Sequence, residues 1–524
     1  VNAIRALLLT CAFALALSGS AAAKTSNDFA GHHRQVFPVY VVHGLTLGDL
    51  PQLATEGAVG LMVPNAGPRT SQAAAFAGMV RGILYNTRLP RPHDVVLVHV
   101  RQSNEIPQHG PAIVVGLPPA TSAPNDRRYP IAVIGHGYRG LLTSSLTRVP
   151  GVVSIADVAR TALQTPHALR WQRDDGAVAT SYRIEEQIEI ARGTTMPGSV
   201  LVLSLLVMFA LLYPRGAPAA FGTAIGINLV QGWFPAGDAA PRVTLLGLCT
   251  VAGGILGPML FRRRAVFGFA LVALLVAYAV SMYVRPSTLS LAPIGPELTS
   301  RFFGVSNLLE TWLLFPALLG AALLRRRFGW PMFLAIGALA LATIAENKLG
   351  SDGGGAIVVG VAFAILAVEL TGARRRYTVP ALAGAALAVL ALVNLDAAAS
   401  GPDHLRGALQ GGFNGIANVA ANRVPLAYAR MVEQWWLLIP LTAILGVGFA
   451  VARYGRSRAE RSVAIALLGA LAASFLVNDS PGPVALAGLS AVLALEGGLV
   501  HRTLALPVLR RFALPVAAEL PQEP

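Results

Sequence analysis

The stretch RRRAVFGFALVALLVAYAVSMYV, residues 262–284, decides the fold. Three arginines precede an uncharged run, 265–284. At about 1.5 Å per residue that run makes a helix roughly 30 Å long, the thickness of the hydrocarbon core of a bilayer. Comparable apolar runs lie near 198–213, 217–235, 243–261, 302–324, 329–346, 355–372, 378–395, 435–452, 462–477 and 483–500, which with 265–284 predicts eleven spans. The 524-residue composition agrees, with 54% hydrophobic and 13% charged residues, where a soluble domain carries about a quarter charged.

Charge orders these spans. Lys and Arg number 41 against 26 Asp and Glu, a net charge of +15. In a soluble chain such an excess would suggest a nucleic-acid partner. Here the arginines stand in short runs between apolar spans: Arg262–Arg264, Arg325–Arg327, Arg374–Arg376, the group Arg453, Arg456, Arg458 and Arg461, and Arg510–Arg511. Every run falls on one side when the spans alternate, which is the positive-inside pattern and argues against nucleic acid. The expectation is a multi-pass protein of the cytoplasmic (inner) membrane with its C-terminal tail, 501–524, in the cytoplasm. Membrane lipids are its first expected partners. Arg5, the apolar run 6–17 and Ala21-Ala22-Ala23 read as a signal peptide, 1–23, that sends the next segment outside. Cys11 and Cys249 allow neither a disulfide framework nor a CxxC metal site, and no cofactor is expected.

Residues 24–197 read differently. Short apolar runs at 35–43, 95–100, 111–117 and 130–136 alternate with helix-like stretches such as 71–85, which predicts an extracytoplasmic α/β domain with a largely parallel sheet. Eight of the ten histidines fall here, namely His32, His33, His43, His93, His99, His109, His136 and His167. There is no HExxH and no carboxylates crowd them, so no metal site is expected. The fold class is therefore an α-helical polytopic membrane protein with an N-terminal α/β domain. Its transmembrane part, 198–500, carries a long outer loop at 396–434.

The order of motifs in the N-terminal domain resembles the alkaline phosphatase-like superfamily. Val41-Val42-His43-Gly44-Leu45 stands where that family ends its first strand in Asp-Gly, and Gly67-Pro68-Arg69-Thr70-Ser71 where a Thr or Ser nucleophile opens a helix. Ile134-Gly135-His136-Gly137 stands in place of Asp-His-Gly, and 151–161 (GVVSIADVART) is similar to the closing segment. The resemblance implies a two-metal esterase. His43 and Gly135, however, replace two aspartates whose charge such a site requires. The expectation is a degenerate site around His43, Thr70, Ser71 and His136, serving a noncatalytic binding or structural role. A rearranged single-metal site and an unrelated α/β domain are the alternatives. Thr70 or Ser71 at a helix N-terminus would suit an anion or act as an ordinary N-cap.

In the membrane half, ionisable residues inside spans mark functional cavities by default. Glu310 is placed about 13 Å into the span that starts at Phe302, with Asn307 on the same helix face. Two short polar turns join spans on the same predicted side: 345–355 (AENKLGSDGGG), with Glu346, Lys348 and Asp352, and 477–483 (VNDSPGP), with Asn478 and Asp479. Pairing of Glu346 with Lys348, and helix capping by Asp352 and Asp479, are the purely structural alternatives. The stretch 301–307 (RFFGVSN) with the 350–355 turn is similar to uncharacterised bacterial membrane proteins that join an alkaline phosphatase-like domain to many spans. Three functions fit. One is a cell-envelope protein that binds or processes a lipid-linked or phosphorylated glycan precursor at the outer face. The others are a secondary transporter or flippase, and a noncatalytic scaffold for envelope-synthesis proteins.

Overall fold

The structure is a computed structural model, and it describes residues 36–67, 69–84, 98–107, 110–165, 168–235, 237–296, 302–346, 349–350, 353–372, 432, 435–454, 458–478 and 481–504. The expected signal peptide, the span 378–395, nearly all of the loop 396–434, and Lys348, Asp352 and Asp479 lie outside the described residues.

β-Branched runs form the sheet. Its strands are β1 (Val39–Val42), β2 (Gly57–Val63), β4 (Val100–Ser103), β5 (Ala112–Val115), β7 (Tyr129–Ile134), β8 (Gly140–Thr143), β9 (Val152–Ser154) and β10 (Arg170–Gln172). A two-stranded ribbon pairs β3 (Arg69–Thr70) with β6 (Ala123–Pro124). The order across the sheet is β10-β8-β2-β7-β5-β1-β4, with β9 also on β2. The pairings show that β1, β2, β4, β5, β8 and β9 run one way, and β7 and β10 the other. The sheet is thus largely parallel, and both faces are covered as such sheets require.

Period-two alternation splits the side chains between the faces. Val39, Val41, Ile113, Val115, Ile131 and Val133 pack with Ala75 and Met79 of α2 (Gln72–Arg81) and Val158 and Ala162 of α3 (Ala156–Ala162). On the other face Val59, Leu61, Val114 and Ala132 pack with Leu50 and Leu53 of α1 (Leu50–Glu56) and Ala177 of α4 (Ala177–Leu212).

One helix of 36 residues, α4, crosses the expected division at 197/198 and runs through Pro197 from the sheet into the bundle. Its first half is rich in Ala, Glu, Gln and Arg, all good helix formers, so nothing ends it there. Arg128, 4% exposed, bonds Glu185 at 2.6 Å and Glu189 at 2.7 Å, one turn apart on α4, and so clamps the sheet to this helix.

The remaining helices are α5 (Ala217–Trp233), α6 (Ala239–Leu260), α7 (Arg264–Val284), α8 (Asn307–Ala345), α9 (Gly353–Thr371), α10 (Leu438–Tyr454), α11 (Arg458–Val477) and α12 (Pro481–Leu504). Among the described residues five helices are long and apolar enough to cross a membrane: α4, α6, α7, α8 and most of α9, with mean hydropathies of 1.8 to 2.3. That is fewer than eleven, partly because α8 covers two predicted spans. A straight helix of that length would separate its ends by about 58 Å. Instead Val305 N–H donates to Gly350 C=O at 3.0 Å, so the two ends meet. The turn is at Gly329, whose φ of 74° and ψ of −166° are not helical, and α8 is a hairpin of 307–328 and 330–345. The other predicted spans within the described residues coincide with α5, α10, α11 and α12, which are short or carry charge at their ends.

Candidate functional site

The hairpin gives the bundle two distinct ends. At one end, Phe302 packs with Val63, Val149 and Val152 of the sheet domain and with Ile188 and Ala191 of α4. The Arg148 guanidinium lies 3.9 Å from the centre of the Phe303 ring. At the opposite end are Arg325–Arg327, where α8 turns, and Arg262–Arg264, where α6 passes to α7.

Residues 302–306 connect the sheet domain to Glu310. The sequence suggested a helix from Phe302, but Gly304 has φ 77° and Ser306 caps α8, its hydroxyl accepting from Leu309 N–H at 3.2 Å. The helix therefore starts at Asn307, and Glu310 lies in its first turn, only about 5 Å along the axis and not about 13 Å. There the partial positive charge of a helix N-terminus favours a carboxylate.

Glu310 is fully buried, and its Oε2 accepts from Asn478 Nδ2 at 3.1 Å. Asn478, just past the end of α11, is turned by Ser474 one helical turn earlier, 2.8 Å from the same amide nitrogen. Two expected site residues, 168 positions apart, thus meet. Asn307 is half-buried, and its carbonyl takes the Thr311 hydroxyl at 2.8 Å. Glu346, half-buried, is the C-cap of α8, and its carbonyl accepts from Leu349 N–H. The sequence reading missed Ser474, although its spacing of four from Asn478 is the helical signal for such a pair.

In the sheet domain the geometry separates the expected motif residues. His43 follows β1, whereas His136 follows β7, which runs the opposite way. The register puts them at opposite edges, roughly 23 Å apart along the strands. Both are exposed: His43 Nε2 lies 3.1 Å from Gln102 Oε1, and His136 packs edge-on against Phe37. A single site holding both does not form. Ser71 is an ordinary N-cap of α2, accepting from Ala74 N–H, and the Thr70 hydroxyl is buried with no hydrogen-bond partner among the described residues. Among those residues no group of three or more His, Cys, Asp or Glu is placed to hold a metal. A cavity of about 640 Å³, lined by Glu56, Arg139, Asp174 and Tyr182 among others, opens at the start of α4 and contains none of the expected site residues.

The carboxyl edge of the parallel strands is where α/β sheets bind ligands by default. That edge is polar and buried here, and through Val63 and Val152 it faces Phe302. Asn125 Nδ2 donates to Asn65 O, Asn65 Oδ1 and Gly67 O. Asp157 Oδ2 accepts from the Ser144 hydroxyl at 2.7 Å and Ser154 N–H at 2.8 Å, which joins β8 and β9 to α3.

Burial pushes the Asp157 carboxyl up to about 6, against the lowering effects of the Ser144 and Ser154 hydrogen bonds and of Arg160. A folded-state value above the unfolded one means the native state holds the proton more tightly. Stability should therefore fall as pH rises from about 4 to about 6 and level off above. Asp157→Asn keeps an acceptor and removes the charge, so it should raise stability at pH 7.5 by about 1–3 kcal/mol and flatten this slope. Thermal melts of the full chain in detergent at pH 5 and 7.5 test this, and an unchanged slope would contradict it.

Compared with protein-family models, characterised proteins and solved structures, the chain gives no match, so the functional reading rests on its own residues.

Proposed function

We propose that the protein belongs to a bacterial cell envelope and binds a lipid-linked or phosphorylated glycan precursor at the outer face of the cytoplasmic membrane. The proposal includes eleven spans, the N-terminal domain outside and the C-terminus in the cytoplasm. One observation carries it: residues 302–306 join the polar carboxyl edge of the sheet to the buried Glu310–Asn478 pair, so both halves meet at one end of the bundle. The arginine runs at the other end support the orientation. A precursor that is part glycan and part lipid would meet polar groups of the domain and the membrane end together. A deletion strain should accumulate the lipid-linked precursor, and an unchanged precursor pool would count against the proposal.

The orientation has its own test. Cysteines at Ser351, Ser400 and Ser480 should react with an impermeant thiol reagent applied outside, and one at Ser457 should not. Labelling of Ser457 alone would invert the topology.

A second reading is a transporter or flippase, favoured by the complete burial of Glu310 among apolar helices. Uptake that collapses with the proton gradient and requires Glu310 would favour it. The scaffold reading predicts no ligand at all.

A further inference from the structure

A second polar cluster lies at the same end of the bundle as the sheet domain, and the Ser290 hydroxyl ties it to the connector by donating to the Phe302 carbonyl. It is built on the irregular segment 286–294, whose residues Thr288, Leu289, Ser290 and Ile294 are fully buried. Helix side chains pin it. Asn228 of α5 donates to Ile294 C=O at 2.9 Å and accepts from Ile294 N–H at 2.8 Å, and Arg242 of α6 donates through Nη1 to Leu291 C=O at 3.1 Å. Gln231 Nε2 donates to Arg242 C=O at 3.0 Å.

Arg242 is 2% exposed, yet it makes no ion pair among the described residues, and its Nε has no hydrogen-bond partner there. Gln231 Oε1 and the Thr288 hydroxyl, both buried, likewise have none. Gln231 meets Arg242 through its bond to the Arg242 carbonyl, and Gly232, next to Gln231, packs on the Thr288 backbone, where a Cβ would lie 2.4 Å from Thr288 C=O. A buried guanidinium without a counter-charge is strongly unfavourable, and a buried hydroxyl and amide oxygen add to the cost. Arg285 adds a second cation nearby, donating to Trp233 C=O at 3.2 Å and lying over the Trp233 ring.

Tyr283, near the end of α7, is 73% exposed, and tyrosine is enriched at membrane–water interfaces. Arg242 lies about one helical turn inside the start of α6. We propose that Arg242, Thr288 and Gln231 form a binding site for a phosphate group that carries a neighbouring hydroxyl, as in a glycerol- or sugar-phosphate. Arg242 and Thr288 donate to the phosphate oxygens, and Gln231 Oε1 accepts from the hydroxyl. The segment 286–294 closes over the group. This site stands independently of the glycan reading of Glu310.

The test uses the full chain reconstituted in nanodiscs of phosphatidylcholine, with or without phosphatidylglycerol, followed by native mass spectrometry of lipid retained after release. Wild-type protein should keep a phosphatidylglycerol through washing. Arg242→Gln should lower that occupancy about tenfold or more, and Thr288→Val by a smaller but measurable factor. The arginine runs at the other end predict no such dependence. Addition of glycerol phosphate to the protein loaded with phosphatidylglycerol distinguishes the sources: competition assigns the site to the phosphate moiety, and retention of lipid in its presence assigns it to the anchored headgroup. If Arg242→Gln fails to fold, Thr288→Val decides. Equal retention of phosphatidylglycerol by wild-type and Thr288→Val, or no retention by wild-type, would overturn the proposal.

Discussion

Glu310→Gln is expected to accumulate as folded, membrane-inserted protein and to fail to complement a deletion strain. The residue is fully buried, and Asn478 Nδ2 can donate to a glutamine oxygen as it does to the carboxylate. Losing the charge forfeits its favourable placement in the first turn of α8, about 0.3–1 kcal/mol. If the carboxylate served only to balance a buried arginine, the same change would cost about 3–5 kcal/mol and reduce the yield of folded protein. Melting temperature and expression level therefore separate a structural role from a binding one. Asp352→Asn and Asp479→Asn, at positions outside the described residues, are expected to behave as Glu310→Gln does. Full complementation by all three variants would remove the proposed site and leave the scaffold reading ahead.

Phe302→Ala should have the largest effect on stability. The ring is fully buried in a cluster with Val63, Val149 and Val152 of the sheet domain and Ile188 and Ala191 of α4, so truncation opens a cavity where two parts of the chain meet. A loss of about 3–5 kcal/mol is expected, with Phe302→Leu losing much less. The damage should reach Glu310, because Ser306, which caps α8, is four residues on. Hydrogen exchange should accelerate over 302–310 and leave α7 protected. An unchanged melting curve and exchange pattern would show that these residues do not couple the two halves.

Much of this architecture was legible because burial in lipid and burial in a parallel sheet both leave long apolar signals. The runs at 243–261 and 265–284 coincide with α6 and α7 within a few residues, the run at 111–117 contains β5, and that at 130–136 covers all of β7 but Tyr129. β2 was missed because Gly57 and Gly60 dilute its apolar run and no polar residue alternates along a strand buried on both faces. The start of α8 was misread because hydropathy counts Phe302 and Phe303 as membrane residues, whereas Gly304 and Ser306 make them part of a non-helical connector. Motif order placed His43 and His136 in one site. Strand direction separates them, and order along a chain says nothing of which edge a strand points to. The Glu310–Asn478 contact was anticipated only as a shared side of the bundle, since spacing along separate helices does not fix which side chains meet.

The proposed function puts a lipid-linked glycan at the membrane end around Glu310 and Asn478. The most direct measurement is mass spectrometry of lipids extracted from the purified full chain, wild-type and Glu310→Gln side by side. A polyisoprenoid-linked glycan phosphate near one per chain in the wild-type protein, and at least about tenfold less in the variant, is the expected result. Bulk phospholipid alone in both samples would contradict it.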